Sequence, residues 1–376
     1  MRDTTCDGRQ MTGHLVDVLD DMSAFVLGGR LRSTLPDGVA NVTEVRTPAM
    51  GLDDAVAAES IGYRRVWLSE RFNIKEAATL LSGMAAKTTR LEIATGVVRP
   101  TDRHPKLMAA TAATMQACYG NRFVLGLGRG DAEYNRIALG MAESPAYVAL
   151  VDYVDILRRL WAGERVDYAG PAGTFNAMAF GDVYEGDPPP VFYGSFGGKK
   201  AATAVAAAFD GILLCPLLTP EATARAKANV TEACEAIGRD PATVRIAQSV
   251  ITAPELDDLE TRQLCHARAV TYMQIDHWAR ATVIANNWSL EPALALQNHD
   301  RFRGMPSADE VFHRRELMDA VDLIPEDWIS STCATGALAD CVAKLEEFKA
   351  AGADEIVTYG SAPQQNAALL DRWRRR

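Results

Sequence analysis

The sequence predicts a (β/α)8 barrel with a long helical insertion between its seventh and eighth strands. Three observations predict it. Short β-branched runs alternate with longer Ala-rich helical stretches along the 376 residues. Most of the short runs are continuously apolar, as strands buried on both faces are. The strand-then-helix rhythm repeats around a whole barrel, and parallel crossovers demand such helical returns.

Taken in order, strands are expected over 24–27, 65–69, 91–98, 123–127, 191–194, 211–216, 244–251 and 355–359. Helices are expected over 53–61, 76–86, 106–118, 147–161, 199–208, 221–236 and 339–351. Asn73 followed three residues later by Glu76 has capping-box spacing. Thr219-Pro220-Glu221 reads as an N-cap, a proline at the first helical position and an acid in the first turn. Gly62, Gly120 and Gly352 stand where a helix ends before the next strand, a position that suits glycine. Two stretches break the rhythm. Residues 163–190, rich in Gly and Pro, read as an irregular excursion or a short hairpin. Residues 255–335 read as mostly helical, carry Trp278, Trp288 and Trp328, and are expected to pack across the barrel mouth. The chain, 1–376, is expected to form one domain. The alternative is a doubly wound sheet, for which Gly126-Leu127-Gly128-Arg129-Gly130 is the best support. Its spacing is GxGxG rather than GxGxxG, and it follows the fourth strand.

Lys+Arg total 39 against 49 Asp+Glu, a formal charge of −10. That balance argues against a nucleic-acid or anionic-membrane binder and leaves room for an anionic ligand only where basic residues gather locally. No apolar stretch approaches the roughly 20 residues of a spanning helix. Asp3, Asp7, Asp17, Asp20 and Asp21 crowd the first segment, which lacks the apolar core of a leader, so a cytoplasmic protein is expected. The seven cysteines are scattered without a CxxC pair and read as free thiols. The six histidines show no HExxH or His/Cys cluster, and no metal site is expected.

In such a barrel the site lies just beyond the C-terminal strand ends. After strand two come Glu70 and Arg71, opposite charges that face a ligand or each other. Strand three is followed by Gly96, Val97, Arg99, Arg103, His104 and Lys106, local positive charge in an acidic chain. Beyond strand four, Gly128, Arg129 and Gly130 leave bare backbone on which a flat ring could stack. Asp131, next in line, is placed to donate or accept a proton or to cap the following segment. Strand five leads into Gly194, Ser195, Phe196, Gly197, Gly198, Lys199 and Lys200 at a helix start, an anion site in outline.

Four segments, GYRRVWLSERF (62–72), LEIATGVVRPTDRHPKLMAATAATM (91–115), GNRFVLGLGRGD (120–131) and PVFYGSFGGKKAATAVAAAFDGILL (190–214), follow one another at the expected strands. In them the chain resembles the bacterial luciferase-like superfamily, and within it the deazaflavin-using (coenzyme F420) oxidoreductases. The likeness runs over about 53–221 and resumes at 352–360. It implies hydride transfer between coenzyme F420 and a small organic substrate. It also implies contact of Glu70 with the cofactor, a non-prolyl cis bulge at Gly96–Val97, and Asp131 as proton donor. The tail would be held by Gly194, Ser195, Phe196, Gly197 and Gly198, with Arg99, Gly128, Arg129 and Gly130 completing the cofactor site. Relatives pair through early barrel helices, here 76–86 and 106–118, so a homodimer is expected. One position departs: sugar-phosphate-oxidising relatives carry a histidine base where this chain has Arg71. Arginine does not deprotonate in proteins, so the reductive direction gains weight and Arg71 is expected to engage Glu70 or the substrate. A flavin mononucleotide (FMN)-dependent monooxygenase is the alternative. A non-catalytic cofactor-binding or structural barrel is the alternative of another class.

Overall fold

The computed structural model describes residues 16–31, 46–70, 75–130, 136, 140, 146–305 and 307–376. Among the described residues there are eleven strands: β1 (Leu19–Phe25), β2 (Tyr63–Leu68), β3 (Glu92–Thr95), β4 (Phe123–Leu127), β5 (Val166–Gly170), β6 (Gly173–Met178), β7 (Val191–Ser195), β8 (Gly211–Leu214), β9 (Arg245–Pro254), β10 (Cys333–Gly336) and β11 (Glu355–Tyr359). Eight of them close a parallel barrel in the order β1, β2, β3, β4, β7, β8, β9, β11, with β11 pairing back onto β1. These are the eight expected strands, and the open-sheet alternative falls because β8 pairs with β9 and closes the cylinder. Helices Pro48–Ser60, Ala77–Lys87, Pro105–Tyr119, Tyr147–Trp161, Lys199–Ala208, Pro220–Ala236 and Leu338–Ala350 form the returns.

The local signals act as their chemistry dictates, with one change. The Thr219 hydroxyl accepts from the Ala222 amide at 3.2 Å, an N-cap as expected. The helix expected to start from Asn73 is instead capped by Glu76 itself. Its carboxylate accepts from the Ala78 and Thr79 amides at 3.0 and 2.7 Å; Asn73 lies outside the described residues.

Residues 163–190 contain the antiparallel hairpin β5–β6, which packs outside the barrel. Tyr168 donates to Asp152 on the Tyr147–Trp161 helix at 2.6 Å, and Phe175 meets the His104 ring edge-on at 5.1 Å. Residues 255–335 form a set of short helices, as expected, and end on β10, a strand the sequence did not announce. β10 pairs in parallel with the outer end of β9. Side chains of the insertion, among them Leu296, Trp328 and Ile329, join one apolar cluster with the barrel-interior residues Phe25, Trp67 and Phe192. Trp288 and Trp328 stack at 4.5 Å.

The lower barrel interior is charged. Glu355, fully buried, receives Arg245 at 2.7 Å and lies 3.7 Å from Arg65, which also binds Glu92 at 2.6 Å. Burial disfavours the Glu355 anion, but Arg65 and Arg245 outweigh it and hold the carboxyl below its ordinary value. A cavity of about 280 Å³ between Gln116, Trp161 and Pro189 lies on the outer wall at the barrel foot, away from the strand ends.

Candidate active site

The strand-three exit organises the mouth. The Gly96–Val97 peptide is cis, as the resemblance implied. The Val97 carbonyl accepts from the Glu70 amide at 3.4 Å, and the Gly96 amide donates to the Leu68 carbonyl at 2.7 Å. Four glycines make room for this turn. A Cβ on Gly96 would stand 3.0 Å from Phe25 Cε2, and one on Gly126 would stand 2.0 Å from the Thr95 carbonyl oxygen. On Gly128 it would lie 2.4 Å from Val97 Cγ2, and on Gly194 2.8 Å from Val97 Cγ1. The sequence suggested that the glycines after strand four leave bare backbone for a ring. The half-buried Val97 side chain lies against Gly128 and Gly194, between β4 and β7, while the Thr95 carbonyl lies against Gly126.

Charges at the mouth are largely matched. Arg103 grips Glu70 through both carboxylate oxygens, at 2.5 Å each, and reaches Glu76 at 2.9 Å. The Ala77 amide also donates to Glu70, at 3.3 Å. Burial works against the Arg103 charge, but Glu70 and Glu76 prevail and raise its pKa. Tyr153, its hydroxyl pushed up by burial, donates to the Arg103 carbonyl at 3.1 Å. Arg99 pairs with Asp102 at 2.6 Å. The positive patch read at Arg99 and Arg103 is therefore offset by acids. The described partner of Glu70 is Arg103; the pairing expected with Arg71 involves a residue outside the described set, as does Asp131.

The Arg129 guanidinium lies 4.6 Å from the centre of the Tyr147 ring, and Tyr147 meets Tyr193 edge-on at 6.2 Å. Neither tyrosine was singled out from the sequence, since only the fold brings the Tyr147–Trp161 helix start over β7. Gly130 follows with φ +68°. His104, exposed, accepts from the Lys106 amide at 3.2 Å and acts as a helix cap.

After β7 the chain turns through Ser195, Phe196, Gly197 and Gly198 into the helix Lys199–Ala208. Gly197 is left-handed, φ +79°, and a Cβ there would stand 2.3 Å from Ala226 Cβ, so only glycine fits. Its amide donates to Ser195 Oγ at 3.1 Å, and its carbonyl accepts from Asn229 at 2.9 Å. Gly198 is exposed, has nothing within 4 Å of a would-be Cβ, and no side chain caps the helix that it begins. An open, uncapped helix start with lysines at its first two positions fits a phosphate or carboxylate tail. Among the described residues no group of His, Cys, Asp and Glu could hold a metal ion. No described helix is long and apolar enough to cross a membrane.

The family follows from direct comparison: a model described as luciferase-like monooxygenase matches residues 33–355, and the chain belongs to that family. The F420-dependent glucose-6-phosphate dehydrogenase of Mycolicibacterium gilvum (strain PYR-GCK) is 32% identical over 224 residues, 56% of this chain and 65% of that protein. The chain spans about half to two thirds of the length of the curated relatives that it matches. Among solved structures, the coenzyme F420-dependent tetrahydromethanopterin reductase from Methanopyrus kandleri superposes with a TM-score of 0.73 at 18% identity, covering 94% of this chain and 97% of that one. An F420-dependent secondary alcohol dehydrogenase in complex with an F420-acetone adduct gives 0.67 at 18% identity, covering 94% and 97%. At these identities the two structures speak to the fold.

Proposed function

We propose that the protein is a coenzyme F420-dependent oxidoreductase that transfers hydride between the deazaflavin and a small organic substrate, in the reductive direction. The observation that carries this is the pairing, on one barrel mouth, of the Val97 bulge with the open Gly198 helix start. The curated relatives, F420-dependent dehydrogenases by name, support the cofactor. Gly96, Val97, Arg99, Gly128, Arg129, Gly130 and Gly194 would hold the ring, and Ser195, Phe196, Gly197 and Gly198 the anionic tail. When bound, a deazaflavin supplies a carbon that donates or accepts hydride. The chain's part is to fix that carbon against the substrate, exclude water and move a proton. Glu70, held in place by Arg103, would contact the deazaflavin beside the strand-three turn. Asp131 is proposed as the proton donor and Arg71 as a substrate contact, because an arginine cannot serve as the base of an alcohol oxidation.

An FMN-dependent monooxygenase is the second reading, favoured by the description of the matching family model. Barrel and insertion are read as one domain of a cytoplasmic enzyme. A homodimer through the Ala77–Lys87 and Pro105–Tyr119 helices is proposed. Ala77, Ala109 and Ala112 are buried in the chain itself, and Ala113 packs against the same core, which leaves the half-buried Ala78 and Ala110. Gly198→Asp tests the tail site directly. The new Cβ meets nothing, and aspartate is a good N-cap, so the fold is kept while a negative charge faces the tail. F420 affinity should fall by at least tenfold; unchanged affinity would place the tail elsewhere.

A further inference from the structure

The cavity on the outer wall is a second recess, at the opposite end of the barrel from the mouth. It holds about 280 Å³, far more than the gaps that a close-packed interior leaves. Its walls are the C-terminal turns of the helices Pro105–Tyr119 and Tyr147–Trp161, and the stretch from Phe180 to Pro189 that leads back to β7. That stretch is fastened so that it does not fall inward and fill the space. The Gln116 side chain donates to the Asp187 carbonyl at 3.1 Å, Tyr184 donates to Asn121 at 2.9 Å, and the Pro190 carbonyl accepts from the Leu125 amide of β4 at 2.9 Å. Pro188, Pro189 and Pro190 in succession stiffen its end.

The lining says what would fill it. Trp161, Phe180 and Tyr184 supply three rings. The Trp161 indole N–H donates to the Ala109 carbonyl at 3.0 Å. Neither Ala109 nor Asn121 lines the recess, so Trp161 and Tyr184 present ring carbon to it. Gln116, buried, has both ends of its amide engaged, since its oxygen accepts from the Phe123 amide at 2.9 Å. The two charged lining residues differ. Arg158 is matched by Asp210 at 2.9 Å. Asp182, exposed at the rim, makes no hydrogen bond or ion pair with any described residue. Glu185 and Asp187 in the same segment are acidic too, and no Lys or Arg lies between 181 and 190. An apolar recess with an acidic rim is complementary to a cation on an apolar body, and aromatic faces attract the same charge.

We propose that this recess is a binding site, separate from the cofactor mouth, for an organic amine: a flat body of one or two rings lies inside, with its ammonium group beside Asp182. A cavity of roughly 150 Å³ holds benzene, so the volume here admits a ring with a side chain or a fused pair. Burial of the body among Trp161, Phe180 and Tyr184 supplies most of the affinity, and Asp182 selects the charge. The site needs neither F420 nor hydride transfer, so it goes beyond the function proposed above and does not rest on it.

Calorimetric titration of the full-length protein at pH 7 with benzylammonium, benzyl alcohol and benzoate tests this, because the three probes share the ring and differ in charge. Benzylammonium should bind once per chain, more tightly than benzyl alcohol, with benzoate the weakest. Ala113→Leu puts three more carbons on a lining side chain and should weaken benzylammonium by about tenfold or more, the scale of a lost ring burial. Asp182→Asn, on the surface, keeps the fold should Ala113→Leu not. It should weaken benzylammonium by about fivefold, the upper end for an exposed charge pair, and leave benzyl alcohol unchanged. Benzoate or benzyl alcohol binding as tightly as benzylammonium would overturn the amine. No benzylammonium binding at millimolar concentration, or affinity unchanged in both variants, would overturn the site. With F420 added the affinity should stay the same; competition would place the probe at the mouth and overturn the recess.

Discussion

The Glu70 carboxylate and the Arg103 guanidinium meet as a two-pronged pair, 2.5 Å at each prong, across 33 positions of sequence. Glu70 is almost fully buried, with 3% of its side chain exposed. The same residue bonds the Val97 carbonyl through its amide. One ion pair therefore ties the strand-two exit to the bulge after strand three, and both segments face the proposed cofactor.

Arg103→Lys keeps the charge and loses the fork. F420 affinity should drop by about tenfold while the protein still folds. Arg103→Met leaves a buried carboxylate unmatched, which costs about 3–5 kcal/mol. Denaturant unfolding of the three proteins measures it, and equal stability of wild type and Arg103→Met would mean that the pair is ornamental to the fold.

Val97 and Gly128 should be coupled. Gly128→Ala drives a methyl to 2.4 Å from Val97 Cγ2, and overpacking of this kind costs about 1–3 kcal/mol. In a Val97→Ala background the obstacle is gone, so the same change should cost much less. A double-mutant cycle on unfolding free energy reads the difference; simple additivity would show that the two side chains do not share the space.

How much of this was legible without the structure depends on what each feature needed. β4 and β11 were read to the residue because both are unbroken apolar runs between turn signals. β10 was missed because Cys-Ala-Thr-Gly has neither length nor periodicity, and it becomes a strand only by lying along the free outer end of β9. At the mouth, sequence order showed Arg99 and Arg103 as surplus charge. Their partners Asp102 and Glu70 cancel it, and Glu70 comes from another strand exit, a proximity that only barrel closure creates. The glycines after strand four read as bare backbone for a ring; that Gly128 also borders Val97 was not legible, because the position of Val97 is set by the backbone turn at strand three.

The buried Glu355 cluster should set the acid limit of stability. Its carboxyl is held below the ordinary 4.5 in the folded state. The stabilisation is thus present above about pH 4.5 and is lost as pH falls through the lower folded value. Glu355→Gln leaves Arg65 and Arg245 facing a neutral group and should lower stability by about 3–5 kcal/mol at pH 7. The gap to wild type should narrow below pH 4.5. Melting temperatures across pH 3–8 check it, and a constant gap across that range would contradict the linkage.

For the proton step, Asp131→Asn should bind F420 normally and lower turnover by about 10²–10⁴-fold, the usual range for a general acid. Arg71→Lys should mainly raise KM. Full turnover of Asp131→Asn with a competent substrate would move the role to another group, and His104 would be tested next.

The central claim is the cofactor, and a fluorescence titration of the purified protein with coenzyme F420 and with FMN, side by side, tests it most directly. F420 should bind tightly at one site per chain and FMN more weakly, with Gly198→Asp reducing F420 binding without lowering the melting temperature. Tighter binding of FMN, or purification with a stoichiometric flavin that turns over with oxygen, would contradict it.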